Sequence, residues 1–289
     1  MIVFIGEGQL GNQIFQYAFI KSIIDKRSSI ISINFKELSQ VFGPLPDVKN
    51  INNHNIARVF RRFVAPTMEL LGKIRVISLY KVNRKIVNGY SVEDIGIKKT
   101  RGILPVHYIS SCYVQSESFF DKSVINELKV NDCFVSDAKK FLGQIPHDCT
   151  KVFVHIRRGD YIAFMVYGKK DVSLPASYYR EQIESIKKDI ENPFFVFLTD
   201  DPGFVECCFE DLNDKVISNN NMFVDFAIML ECDYGIMSNS SFCWWGGYFM
   251  HKRKKLYAPR YWLGWKSKEE YQIGCEPTFA TLVDVYENH

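Results

Sequence analysis

Directly behind the apolar run Val152-Phe153-Val154, the chain sets His155, Arg157, Arg158 and Asp160 in close succession. A parallel sheet buries such a run on both faces, so the charged residues fall at a strand's carboxyl end, where open α/β sheets bind ligands. Paired guanidinium groups there suit a diphosphate, because each stays charged and offers a planar fork to phosphate oxygens. On spacing alone two plainer uses stay open: Arg158 and Asp160 as a salt bridge within a turn, and His155 as a packed side chain.

A second polar stretch, Ser238-Asn239-Ser240-Ser241, lies between a short strand pattern at 234–237 and a helical pattern at 242–250. Free backbone N–H groups and the helix dipole favour an anion at such a start, and the hydroxyls of Ser240 and Ser241 add donors. Capping accounts for one serine, and the stretch exceeds that need. Trp244 and Trp245 behind it read as core and cleft wall. Near the N-terminus, Gly6-Glu7-Gly8-Gln9-Leu10-Gly11 follows a strand and opens a helix with Phe15, Phe19 and Ile23 at helical spacing. Formally this is the dinucleotide fingerprint of a nicotinamide oxidoreductase, but Glu37 lies later than that motif places its ribose-binding acid.

With Gly8-Gln9-Leu10-Gly11-Asn12-Gln13 and the 238–247 stretch Ser-Asn-Ser-Ser-Phe-Cys-Trp-Trp-Gly-Gly, the motif His155-Ile156-Arg157-Arg158-Gly159-Asp160-Tyr161 makes the chain resemble the family 11 glycosyltransferases, the α-1,2-fucosyltransferases. The motifs fall in the family's order and span nearly the whole chain. The resemblance implies an α/β, GT-B-like architecture with two Rossmann-like domains facing a cleft, GDP-fucose as donor, and inverting transfer of fucose to the 2-hydroxyl of a galactosyl unit. Arg157 matches the family's first arginine and is expected on the pyrophosphate. His155, Arg158, Asn239, Ser240 and Ser241 are expected around the nucleotide sugar.

Asp225 lies at the offset where related fucosyltransferases carry a nucleotide-reading aspartate, and a carboxylate can accept from guanine N1 and its exocyclic amine. It could equally pair with a lysine or a backbone N–H. Gly8, Gln9, Gly11, Asn12 and Gln13 are expected to face the donor sugar or the acceptor, with Asn12 alternatively a helix cap. Inverting transfer needs a base, for which Asp160 and Glu7 are candidates, although Asp160 equally suits orienting an arginine. No Asp-x-Asp occurs, so no metal or other cofactor is expected, and the arginines would neutralise the leaving GDP. A non-catalytic glycan-binding protein is a further alternative, but it has no use for paired arginines facing a serine-rich helix start.

At 289 residues and 47% apolar content the chain fits two domains with real cores. Its net charge of +3 is unevenly spread, with Arg58, Arg61, Arg62, Lys73 and Arg75 in one segment and a run at 252–255 in another. Such runs are usually solvated faces; the alternative is an anionic membrane surface carrying a lipid-linked acceptor. No nucleic-acid module is present. The eight cysteines have no zinc spacing and read as reduced core thiols. The opening strand lacks a signal peptide or anchor, which predicts a cytoplasmic, soluble or peripherally membrane-associated enzyme of bacterial type.

The elements that must position these groups read as two halves, an acceptor-facing domain over 1–148 and a GDP-fucose-binding domain over 149–289. The spacing predicts helices at 118–128, 136–142, 177–190 and 222–232, and strands at 30–35, 106–110, 194–198 and 255–258. Between 40 and 105 it predicts loops and helices that select the acceptor, and 143–150 reads as the linker. The last segment, 276–289, is expected to pack back across the first domain.

Overall fold

The computed structural model describes residues 1–23, 29–45 and 47–287. Pro46, within the stretch 43–46 that reads as an element breaker, and the last two residues of the 276–289 segment lie outside the described residues. The chain divides into two compact units, Met1–Asn131 and Asp132–His289. The helix Asp132–Leu142 therefore belongs with the second unit, whereas the sequence reading carried the first domain to 148. Its partner there is the helix Met222–Glu231, with the Phe134 ring 5.2 Å from that of Phe223.

The first unit holds a sheet in the order β3 (Val48–Ile51), β2 (Ile30–Ile33), β1 (Ile2–Ile5), β6 (His107–Ile109), β4 (Ser78–Val87), β5 (Tyr90–Thr100). All neighbours run parallel except the hairpin β4–β5. That hairpin corrects the expectation of loops and helices over 40–105. Asn88 and Gly89, both at positive φ, make its tight turn, which glycine enters without steric cost. The predicted helix over 118–128 is instead two separate 3-10 turns, each started by its own cap, Ser116 and Asp121. The helix Leu10–Ile23 is buried almost all round, as its apolar composition requires.

The second unit is an all-parallel sheet in the order β11 (Lys215–Ile217), β10 (Pro193–Thr199), β7 (Thr150–Ile156), β12 (Tyr234–Ile236), β13 (Lys255–Pro259), β14 (Thr281–Val283), with a small hairpin of β8 (Met165–Val166) and β9 (Lys169–Lys170) beside it. Val152, Phe153, Val154 and Ile156 are fully buried, as a central parallel strand requires. Residues 281–283 do not leave this sheet: β14 pairs with β13, and Val285 joins the core around Tyr178 and Phe197. The largely parallel first sheet and the all-parallel second give an α/β, GT-B-like fold with two Rossmann-like units.

The cysteines are thiols; Cys112, Cys232, Cys243 and Cys275 are buried, but Cys133 and Cys207 are exposed, so only part of the set is core. No helix among the described residues is long and apolar enough to cross a membrane.

Candidate active site

In the second sheet β7 leads on through β10 and β11 to one edge, while β12, β13 and β14 fill the other side. The strand order reverses between β7 and β12, where an open α/β sheet leaves a crevice above its strand ends. Across that gap His155 Nδ1 lies 2.8 Å from Ser238 Oγ. Both side chains are buried, and the imidazole packs 5.5 Å from the Phe242 ring. Burial, and then the neighbouring Arg157 charge, push the imidazole down to about 3, so it is neutral at physiological pH.

The two arginines are held differently. Arg157 reaches Asp160 Oδ1 through Nη2 at 2.8 Å and Nε at 3.0 Å, and its Nη1 lies 3.1 Å from Asp200 Oδ2. Arg158 pairs through Nε with Asp201 Oδ2 at 3.0 Å and lies 3.9 Å over the Phe204 ring. The turn salt bridge is therefore Arg157–Asp160, not Arg158–Asp160. Arg158, clamped by a carboxylate and an aromatic face, anchors the loop.

Asp200 organises that loop. It accepts from the Arg158 backbone N–H at 2.9 Å as well as from Arg157. A Cβ on Gly159 would come within 2.7 Å of its Oδ2, so a side chain there would push the carboxylate aside. Tyr161 ties this loop to the serine stretch: Arg157 lies 5.7 Å over its ring, and its hydroxyl donates to Asn239 O at 3.4 Å. Burial pushes the phenol well above its ordinary range.

Ser240 is the N-cap of the helix Ser241–Tyr248, its Oγ accepting from Phe242 N at 3.3 Å. Asn239 is fully buried, and its Nδ2 donates to Val172 O at 2.7 Å. That bond braces the loop, while Asn239 Oδ1 is buried without a hydrogen-bond partner among the described residues. Of the stretch 238–241 only Ser241 escapes burial. Trp244 and Trp245 are fully buried. Asp225 stands in the first turn of Met222–Glu231 and accepts from Ser218 Oγ at 2.5 Å. Burial pushes its carboxyl up to about 6, against the Ser218 hydrogen bond.

In the first unit Glu7 occupies the equivalent place, after β1 where the order reverses toward β6. It accepts from Arg61 Nη2 at 3.0 Å and Nε at 3.3 Å, and from Ser111 Oγ at 2.8 Å across the gap. Gln16 clasps its backbone on both sides. Gly8 and Gln9 are exposed, and Asn12 Oδ1 accepts from Gln115 Nε2 at 2.5 Å instead of capping the helix. Gly11 and Gln13 are buried. Gln13 spends its amide on Gly8 O, Leu38 N and Glu37, so it is not free for a sugar. The same bond occupies Glu37, the acid a nicotinamide reading would need for a ribose.

Among the described residues no three His, Cys, Asp or Glu side chains are grouped to hold a metal ion. Asp160, Asp200 and Asp201 each already accept from an arginine. Sequence reasoning missed Asp200, Tyr161, Arg61 and Ser111, whose roles depend on partners far along the chain. The one local signal was the position of Asp200 just past a buried strand.

The family model described as Glycosyl transferase family 11 matches residues 1–262. An alpha-1,2-colitosyltransferase of Escherichia coli is 28% identical over 83% of this chain and 84% of its own length. An O-antigen biosynthesis glycosyltransferase, WbnK, of the same organism is 23% identical over 91% and 95%. A galactoside alpha-(1,2)-fucosyltransferase 2 of Rattus norvegicus is 24% identical over 83% and 64%. Among solved structures, POFUT1 in complex with GDP superposes with a TM-score of 0.54 at 15% identity, over 89% of this chain and 97% of that one.

Proposed function

The chain belongs to glycosyl transferase family 11, and from that premise we propose that it is an inverting α-1,2-fucosyltransferase, moving fucose from GDP-fucose to the 2-hydroxyl of a galactosyl acceptor in a surface glycan or oligosaccharide. The observation that carries this reading is the Arg157 guanidinium at the strand-order reversal of the second sheet, tied through Tyr161 to the start of the Ser241–Tyr248 helix. A diphosphate placed there meets a fixed cation, free helix N–H groups and the Ser241 hydroxyl. Asp225 reads guanine through N1–H and the exocyclic amine.

In the reaction the acceptor O2 forms a bond to fucose C1 as the C1–O bond to GDP breaks, and the electron pair leaves with the diphosphate. Arg157 stabilises that growing charge without a metal ion. Asp160 serves twice: Oδ1 holds Arg157, and the second oxygen takes the acceptor proton. Glu7, with both oxygens given to Arg61 and Ser111, orders the acceptor-facing loop instead.

One relative is named for colitosyl transfer, and colitose is fucose without its 3-hydroxyl, so GDP-colitose is the competing donor. The test is the product. Incubation with GDP-fucose and lactose should give an α-fucosyl group on galactose O2 by nuclear magnetic resonance. Transfer from GDP-colitose with none from GDP-fucose would reassign the donor, and a β-linked product would overturn the inverting mechanism.

A further inference from the structure

Residues 54–73 form one continuous helical run, His54–Val59, a wide turn at Phe60–Val64, and Ala65–Lys73. The wide turn comes just before Pro66, whose ring would otherwise meet the carbonyl of Arg62. The run carries two apolar stripes, not one. Ala57, Phe60, Met68 and Leu71 face the first unit's core. Ile56, Val59, Phe63, Leu70 and Ile74 recur at helical spacing beside that face and are exposed, Phe63 at 61%. A helix that only needed to cover its sheet would be polar there.

The stripe is extended and charged. Ile103 N donates to Arg75 O at 3.1 Å and Leu104 N to Val76 O at 2.9 Å, which brings Ile103, 89% exposed, and Leu104 beside the helix's end. Arg58, Arg62, Lys73 and Arg75 flank the stripe, and none has an ion-pair partner among the described residues. The segment's one acid, Glu69, is bonded to Lys81 and Ser110 and also feels the Lys73 charge.

We propose that the outward face of the 54–74 helix, with Ile103 and Leu104, is an interfacial anchor that lies on an anionic lipid surface. Apolar side chains flanked by unanswered cations suit the headgroup boundary, where the apolar groups insert and the long basic stems reach lipid phosphates. A second copy of this chain fits poorly, because a two-fold interface would set these cations against themselves with only Glu69, already bonded to Lys81, to answer them. The inference does not depend on which sugar is transferred.

The test is co-sedimentation of the full chain with phosphatidylglycerol–phosphatidylethanolamine vesicles and with neutral phosphatidylcholine vesicles. Wild type is expected on the anionic vesicles only, released by salt. Phe63→Asp should lose at least about tenfold in partitioning, and removing the charges of Arg58, Arg62 and Lys73 as glutamines about fivefold each. Thermal unfolding of both variants should match wild type, showing that the fold is intact. No wild-type binding, equal binding to both vesicles, or unchanged binding of the variants would overturn the proposal. So would a dimer seen by analytical ultracentrifugation that Phe63→Asp dissociates, without vesicle binding.

Discussion

The imidazole Nδ1 of His155 and the hydroxyl of Ser238 meet at 2.8 Å across the gap between β7 and β12, joining the two loops that flank the strand-order reversal. The neutral imidazole makes this contact conditional on pH. Its folded pKa is depressed, so the unfolded chain binds the extra proton first. The stability it carries is present above about 6.5 and lost as pH falls toward 3. Chemical denaturation between neutral pH and pH 4 should show wild type losing stability faster than His155→Gln. Parallel pH profiles for the two proteins would mean that the imidazole is not held neutral.

Arg157 and Arg158 are adjacent in sequence but not equivalent in place. Arg157→Lys keeps the charge and loses the fork, and should cost about a hundredfold in kcat; Arg157→Ala should cost about a thousandfold, both with unchanged melting. Arg158→Ala removes a side chain packed on Phe204 and paired with Asp201, so it should lower the melting temperature while sparing more of kcat. Steady-state kinetics with thermal melts decide it, and an Arg158 variant with the larger kinetic loss would reverse the assignment.

Asp225 is a carboxylate kept at a cost. Its folded pKa, about 6, is above the unfolded value, so the protonated form favours folding below about 4, and that contribution is lost as pH rises through 6. Asp225→Asn should therefore be more stable than wild type at pH 8, by about 3 kcal/mol. It should also bind GDP at least about tenfold more weakly there. Wild-type GDP affinity, measured by calorimetry, should rise with pH through 6 and then level off. An Asp225→Asn protein with wild-type affinity would remove Asp225 from the guanine site.

The second unit was legible because its strands are short, uninterrupted apolar runs bounded by Pro or polar loops, and Phe194 to Leu198 can hardly be read otherwise. The β4–β5 hairpin was not, because charged residues are spread along both strands, Lys81, Arg84 and Lys85 in one and Glu93, Asp94, Lys98 and Lys99 in the other, which hides alternation. Its Asn88-Gly89 turn was nonetheless a hairpin signal in the sequence. The 118–128 error has a different cause: Phe119, Phe120, Ile125 and Leu128 are buried, and their spacing suits a helix as well as two capped turns. At the site, motif order pointed to Arg157 and Ser241, while the clamp of Asp200 across 42 positions left only one local trace, the place of Asp200 just past a buried strand.

Glu7 is bound to Arg61 and Ser111 after β1, which predicts an effect on the acceptor alone. Glu7→Ala should raise the acceptor KM about tenfold and leave the donor KM unchanged, since it frees the Arg61 guanidinium and unties the loop. Equal shifts in both constants would place Glu7 in a structural role.

The most direct measurement is release of GDP from GDP-fucose with and without lactose, in EDTA, beside GDP-mannose and UDP-galactose as donors. The account predicts lactose-dependent release from GDP-fucose alone, undiminished by EDTA. Release that EDTA abolishes, or that GDP-fucose does not support while another donor does, would contradict it.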